Sequence, residues 1–211
     1  MLIHDWDAAI DDDEWWEFVQ GHLFGHLVAP GRDRDLPVVV PTQFLLVGTP
    51  SEPELLLHLA RPNPIWKALA ENPRVLMSVA SDWAFIPSSW KVVGEEDPAE
   101  GIPTTYYAAV QFSGLAAVVE DADGKAAILR RQLAALQPDI HRLDPADQAA
   151  QLPAIRGIRI GSLEVRAKFK YGGNVDAAHR LAVADHLARR HSSGDEAARA
   201  HLLRRLRRST G

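Results

Sequence analysis

The sequence contains no cysteine, which excludes disulfides, zinc-thiolate centres, iron–sulfur clusters and thiolate-ligated haem together. Any metal is left to histidine, carboxylate or tyrosine. Long apolar runs are missing too, and nothing approaches the ~20 consecutive apolar residues of a membrane-spanning helix. The first 20 residues hold no Lys or Arg but seven acids, Asp5, Asp7, Asp11, Asp12, Asp13, Glu14 and Glu17, the reverse of the basic start of a secretory signal. The expectation is a cytoplasmic protein with no membrane partner. Internal repeats, a Walker loop, a Rossmann glycine pattern, a nucleophile elbow and an HExxH pair are all absent, so the motif-bearing enzyme classes lose support.

What is present is ordinary globular composition. Of 211 residues 46% are hydrophobic and 24% charged, with 14 Gly and 14 Pro, enough for a core and an enclosed pocket. We expect a single domain over 1–211, with an N-terminal helix, a helical insertion near 123–152 and C-terminal helices over 176–208. The net charge of −5 supplies no broad field for nucleic acid. The arginine-rich stretch over 185–211 is read as a solvated helix face, pairing with the acidic start or across a dimer.

Asp11–Asp13 are N-cap candidates for a helix carrying Trp15, Trp16 and Val19. Three β-like runs follow, at 23–30, 36–48 and 54–61, separated by turn-formers. Asn63-Pro64 starts a short helix over IWKALAEN. Two further strands are expected to join around Ser81 and Asp82, and 102–121 reads as one long strand or two broken at Gly114. Residues 123–137 have helix composition, DPADQAAQL begins with an Asp-Pro helix start, and a strand over 155–171 precedes the last helices. The sum is α+β, with six antiparallel strands forming a small barrel decorated by helices.

Four groups of residues can carry chemistry. On a strand through Leu55–Arg61, alternation sets His58 beside Leu56 and Ala60 on a largely apolar face. A neutral imidazole there suits a haem iron or another metal, and equally a core histidine bonded to a backbone carbonyl. Arg61 and Lys67, flanking Asn63 and Trp66, suit a phosphate or carboxylate beside a helix start, or simple solvent exposure. Arg166, Lys168 and Lys170 alternate along a strand that ends in Gly172-Gly173, either as an anion-binding row or as an outer face. Ser89 and Trp90 with Thr104, Thr105, Tyr106 and Tyr107 set hydroxyls and rings at strand ends, as the lining of a flat-cofactor pocket or as plain core.

Taken in order, HLARPNPIWKAL (58–69), FIPSSW (85–90), IPTTYYAAVQFSG (102–114) and KFKYGGN (168–174) resemble the PaiB-like branch of the FMN-binding split-barrel superfamily, over roughly residues 10 to 175. The resemblance implies a six-stranded antiparallel split barrel and a homodimer with the cofactor in a cleft near the subunit interface. The chain departs from regulator-like members at Pro41-Thr42-Gln43, at Thr105-Tyr106-Tyr107 and at Tyr171–Val175. In those departures it resembles the piperazate synthases, which use haem b to join two nitrogens of N5-hydroxy-L-ornithine into a ring. That resemblance implies His58 as axial iron ligand. It makes Lys168 and Lys170, with Arg61 and Lys67, the cations for the amino-acid carboxylate and haem propionates. Tyr106, Thr42 and Ser89 become candidates for positioning or proton transfer, and Trp90 for cofactor contact. The alternative is an FMN protein, a reductase or PaiB-type regulator, in which Arg61 and Lys67 hold the phosphate and Trp90 or Tyr106 meets the flavin.

Overall fold

The structure, a computed structural model, describes residues 1–137 and 144–208. The part of the expected insertion at 138–143 lies outside the described residues. In chain order the elements are α1 (Asp12–Gly21), β1 (Phe24–Ala29), β2 (Val38–Gln43), β3 (Leu45–Thr49), β4 (Glu52–Ala60), α2 (Ile65–Glu71), β5 (Arg74–Ile86), β6 (Thr104–Val119), α3 (Ala122–Leu136), β7 (Ile155–Lys170), α4 (Ala177–Arg190) and α5 (Asp195–Arg208). The class is α+β, as expected. Two compact units are formed, one from 1–14, 80–110 and the chain from 167 onward, the other from 15–79 and 111–166.

Seven strands replace the six expected, and their order, β2-β1-β5-β6-β7-β4-β3, has two ends instead of closing into a barrel. The run at 36–48 is two strands. Val38–Gln43 pairs antiparallel with β1, whereas Leu45–Thr49 pairs antiparallel with β4. Phe44 is the corner between them, fully buried, its N–H donating to Leu23 O at 3.0 Å. A run apolar on both sides of such a corner gives no alternation to mark the change of partner. Conversely, 74–86 is one strand, and Asp82 stays within it by adopting a left-handed φ of 55°, a conformation Asp tolerates better than most residues.

In the 15–79/111–166 unit, β4 lies between β3 and β7, with His58 opposite Gly157. Its burial matches its central place: Leu55, Leu56 and Leu57 are all buried. Leu56 packs with Leu45 and Ile128 of α3, so the face that carries Leu56 and His58 is the one α3 covers. The helix start at Asn63 is confirmed by its Oδ1 accepting from Ile65 N at 3.0 Å. Asp121 caps α3 by accepting from Gly124 N at 2.7 Å, and the Asp-Pro start becomes a 3-10 turn over Pro145–Gln148.

The other unit has its core in Ile86, Tyr106, Phe169, Tyr171, Val183, Leu187 and Leu202. Its terminal segments are tied by charge as expected: buried Arg205 donates to Glu14 Oε2 at 3.2 Å and to the carbonyls of Trp6 and Ala8. His201 pairs with Asp82 at 2.8 Å, and the Tyr171 hydroxyl donates to Asp82 O at 2.9 Å.

β6 is unbroken at Gly114 because glycine there serves a close approach, not a turn. A Cβ would sit 2.6 Å from Gly161 O and 2.7 Å from Leu163 Cδ2, and the backbone has no freedom to give way inside a paired strand. Gly114→Ala is expected to lower stability by about 1–3 kcal/mol, read as a fall in the urea midpoint at unchanged slope.

Candidate functional site

His58 projects from the middle of β4 toward α3, where its Nδ1 lies 2.7 Å from Gln132 Oε1. An amide oxygen only accepts, so with the amide in this orientation the partner it calls for is a proton on Nδ1. Nε2, with no hydrogen-bond partner among the described residues, becomes the nitrogen left for a ligand. His58 lines a cavity of about 560 Å³, with Leu129 and Leu133 of α3, Leu152 and Ala154, and Ile155 at the start of β7. That size falls within the ordinary range for small-molecule and cofactor sites. Asp144 and Gln151 add polar groups to the lining. The Ala146 N–H, and after it the Arg130 guanidinium, hold the Asp144 carboxyl below its ordinary value, so it stays ionised at neutral pH.

The cavity wall at Leu152–Ala154 is fastened from two directions. Arg61, just past β4, donates from Nε to Pro153 O at 2.6 Å and from an Nη to Glu120 Oε2 at 3.0 Å. The buried Lys125 of α3 donates to Leu152 O at 2.8 Å. Glu120 also takes Arg156 at 2.7 Å, and Arg156 lies over the Trp66 ring. Arg61 is thus committed to the frame of the cavity. Lys67, on the exposed side of α2, lowers the carboxyl of Glu71 by its charge, after the larger effects of Arg34 and the Arg32 N–H. Thr42 is buried in β2, its hydroxyl donating to Gln43 O at 3.1 Å.

The remaining sequence candidates fall in the other unit. Lys168 leaves the exposed row that Arg166 keeps: it is buried, donates to Leu2 O at 2.9 Å and lies 3.6 Å from Asp7. Its ammonium sits 5.7 Å from the Tyr107 ring centroid. Lys170 donates to Thr104 Oγ1 at 2.7 Å. Burial, and after it the charge of Lys170, lowers the pKa of Lys91, so two cations share this neighbourhood. Trp90 stacks on His186 at 4.8 Å and lies under Arg190 at 4.5 Å, whereas Ser89 is exposed. Tyr106 is 1% exposed, edge-on to Tyr171, and its hydroxyl has no partner among the described residues. Burial, the largest influence, pushes its pKa up to about 12.

Gln132 is the residue that sequence reasoning missed. It lies 74 positions from His58, and nothing local pairs the two. A signal was nevertheless available: Lys125, Ile128, Leu129 and Gln132 fall at helical spacing on one stripe of α3. A glutamine on such an otherwise apolar stripe calls for an internal partner.

Among the described residues there is no cluster of three or more His, Cys, Asp or Glu able to hold a metal ion, and no helix long and apolar enough to cross a membrane. Residues 1–162 match the family described as "Putative FMN-binding domain". The protease synthase and sporulation protein PAI 2 of Bacillus subtilis (strain 168) is 26% identical over 195 residues, covering 89% of each chain. Among solved structures, the flavocytochrome Anf3 from Azotobacter vinelandii shares the fold with a TM-score of 0.62 at 22% identity, covering 79% of this chain and 71% of its own. The FAD and heme binding protein from Mycobacterium smegmatis does so with a TM-score of 0.59 at 18% identity, covering 85% of this chain and 80% of its own.

Two predictions follow from this geometry. An unpartnered buried hydroxyl costs stability, so Tyr106→Phe is expected to leave thermal stability unchanged or raise it by about 1 kcal/mol; a clear loss would mean that the phenol has a partner within the protein. Second, His179 at the start of α4 holds Asp176 at 2.9 Å and Glu96 of the 91–103 loop at 3.1 Å. These two carboxylates, Asp176 first, raise its pKa above the ordinary 6.5. The clamp is therefore complete in acid and lost as pH rises through that raised value. Limited proteolysis within 91–103 is expected to speed up over that rise, and His179→Gln is expected to remove the dependence.

Proposed function

The chain belongs to the family described as "Putative FMN-binding domain", and we propose that it binds haem b through His58 and cyclises N5-hydroxy-L-ornithine to L-piperazic acid. The observation that carries this reading is the state of His58: Nδ1 bonded to Gln132, Nε2 left for a ligand, and an apolar cavity of about 560 Å³ beside the ring. The donor set fits, because a porphyrin would itself supply four nitrogen ligands to the iron and ask the protein only for an imidazole such as His58. That a mycobacterial protein of this fold is named for binding FAD and heme supports the compatibility of fold and group. The substrate assignment rests on the departures at Pro41-Thr42-Gln43, Thr105-Tyr106-Tyr107 and Tyr171–Val175, in which the chain resembles the piperazate synthases, and on the place of His58 before Arg61-Pro62-Asn63-Pro64.

When bound, the haem iron would supply Lewis acidity at the substrate's N-hydroxyl oxygen. In the reaction an N–N bond forms from the α-amine to the hydroxylated nitrogen, the N–O bond breaks, and hydroxide leaves with the amine proton as water. Ring closure is intramolecular, so the protein's part is largely to fold a flexible substrate into an attack geometry. Lys170, and Lys168 beside it in sequence, are assigned to the amino-acid carboxylate. Tyr106 and Thr42 are assigned to positioning or proton transfer. Lys67 is assigned to the propionates, with Ser89 and Trp90 as further cofactor contacts; Arg61, which the resemblance also offers to the propionates, is engaged with Pro153 O and Glu120 and holds the cavity wall. The subunit arrangement we propose is a homodimer, in the cytoplasm.

The family description favours a second reading, FMN in place of haem, with Arg61 and Lys67 on the phosphate and Trp90 or Tyr106 at the flavin. One spectrum of the purified, reconstituted protein separates the two. A Soret band is expected on adding hemin and is expected to be lost in His58→Ala, together with turnover of N5-hydroxyornithine measured as loss of water by mass. A two-band flavin spectrum, or a Soret band unchanged in His58→Ala, would overturn the assignment.

A further inference from the structure

A neutral histidine offers a lone pair from only one of its two nitrogens, and free imidazole side chains in water favour the proton on Nε2. That default tautomer would present a donor, not a lone pair, to anything in the cavity. The structure reverses it. Gln132 Oε1 stands 2.7 Å from Nδ1, and Gln132 is 5% exposed on a helix whose neighbouring turns supply Leu129 and Leu133 to the same cavity wall. Its amide is thus held where the ring can reach it, and Lys125, two turns earlier on the same stripe, anchors α3 to Leu152 O.

From this we infer that Gln132 is the positioning residue of the site: it selects the Nδ1–H tautomer of His58, stops rotation of the ring and leaves the Nε2 lone pair as the coordinating atom. Partners of this kind, set behind a ligating imidazole, fix the tautomer and raise its basicity. Glutamine adds a property that carboxylates lack. Its amide presents an acceptor on one side and a donor on the other, so a half-turn of the amide would make it donate to Nδ1 and drive the proton to Nε2. Coordination holds the amide in the accepting orientation, because the competing orientation removes the lone pair. The inference rests on the haem reading only for what Nε2 receives; the tautomer belongs to the protein alone.

The tautomer is read directly in the cofactor-free protein by long-range ¹⁵N–¹H correlation of labelled histidine. The wild type is expected to show His58 protonated on Nδ1, and Gln132→Leu, which keeps the bulk and removes the acceptor, is expected to move the proton to Nε2. His58 protonated on Nε2 in the wild type, or a tautomer unchanged by Gln132→Leu, would overturn the inference whether or not hemin binds. Hemin titration gives the second readout. Gln132→Leu is expected to weaken binding by roughly ten- to a hundredfold, whereas Gln132→Glu, which retains an acceptor, is expected to keep the affinity and lower the iron midpoint potential. Equal affinity and potential in all three proteins would overturn the positioning role. A wild type with Nδ1–H that takes up no hemin would overturn the haem reading and leave the tautomer assignment standing.

Discussion

A side chain can be carried into a cavity on a β-strand only where the strand's own polar groups are already satisfied, because a lone backbone donor beside an apolar cavity costs as much as a lost hydrogen bond. β4 pairs with β3 over Glu52–Leu56 and with β7 over Leu55–Ala60, so His58 takes its place in the sheet opposite Gly157 of β7. Its three consecutive buried leucines, Leu55–Leu57, follow from this central place. So does the chemistry of His58, whose imidazole is the polar group this part of the strand offers to the space under α3. The turn at Phe44, which frees β3 to cross to β4, covers the Glu52–Leu56 half of that strand, and His58 follows two residues after the last of those pairs.

Much of this was legible in the sequence, where one period governed a segment. Alternation along Leu55–Ala60 put Leu56 and His58 on one face, and both meet α3. Asn63 announced a helix start, and its side chain accepts from Ile65 N at the head of α2. What sequence could not show was which strand each run would join. The corner at Phe44 lies inside a continuous apolar stretch, so 36–48 looked like one strand where the sheet has two. The bend at Asp82 misled in the opposite sense, because a polar, turn-forming pair interrupted a run that the sheet nevertheless keeps together.

The cationic row taught a different lesson. Arg166, Lys168 and Lys170 alternate as a solvated face should, yet only Arg166 is exposed. Lys168 is drawn inward by Leu2 O and Asp7, partners 161 or more positions away that local periodicity cannot register. The acid-rich start and the arginine-rich end, read as surface charge pairing with each other or across a dimer, supply such inward partners too: Glu14 and Arg205 are both buried. Buried ions of this kind are retained only when each finds an opposite charge or several oxygens, and here carbonyls of the N-terminal segment complete the set.

The clamps on the cavity wall end on main-chain oxygen. Arg61 grips the carbonyl of Pro153 and Lys125 that of Leu152, and a carbonyl is present whatever side chain the position carries. The identity of residues 152–154 is thereby released from the task of holding the wall in place. Pro153 and Ala154, both exposed, are free to vary in size and polarity while buried Leu152 is kept apolar, and the two cations that hold the wall and the histidine it shelters stay where they are.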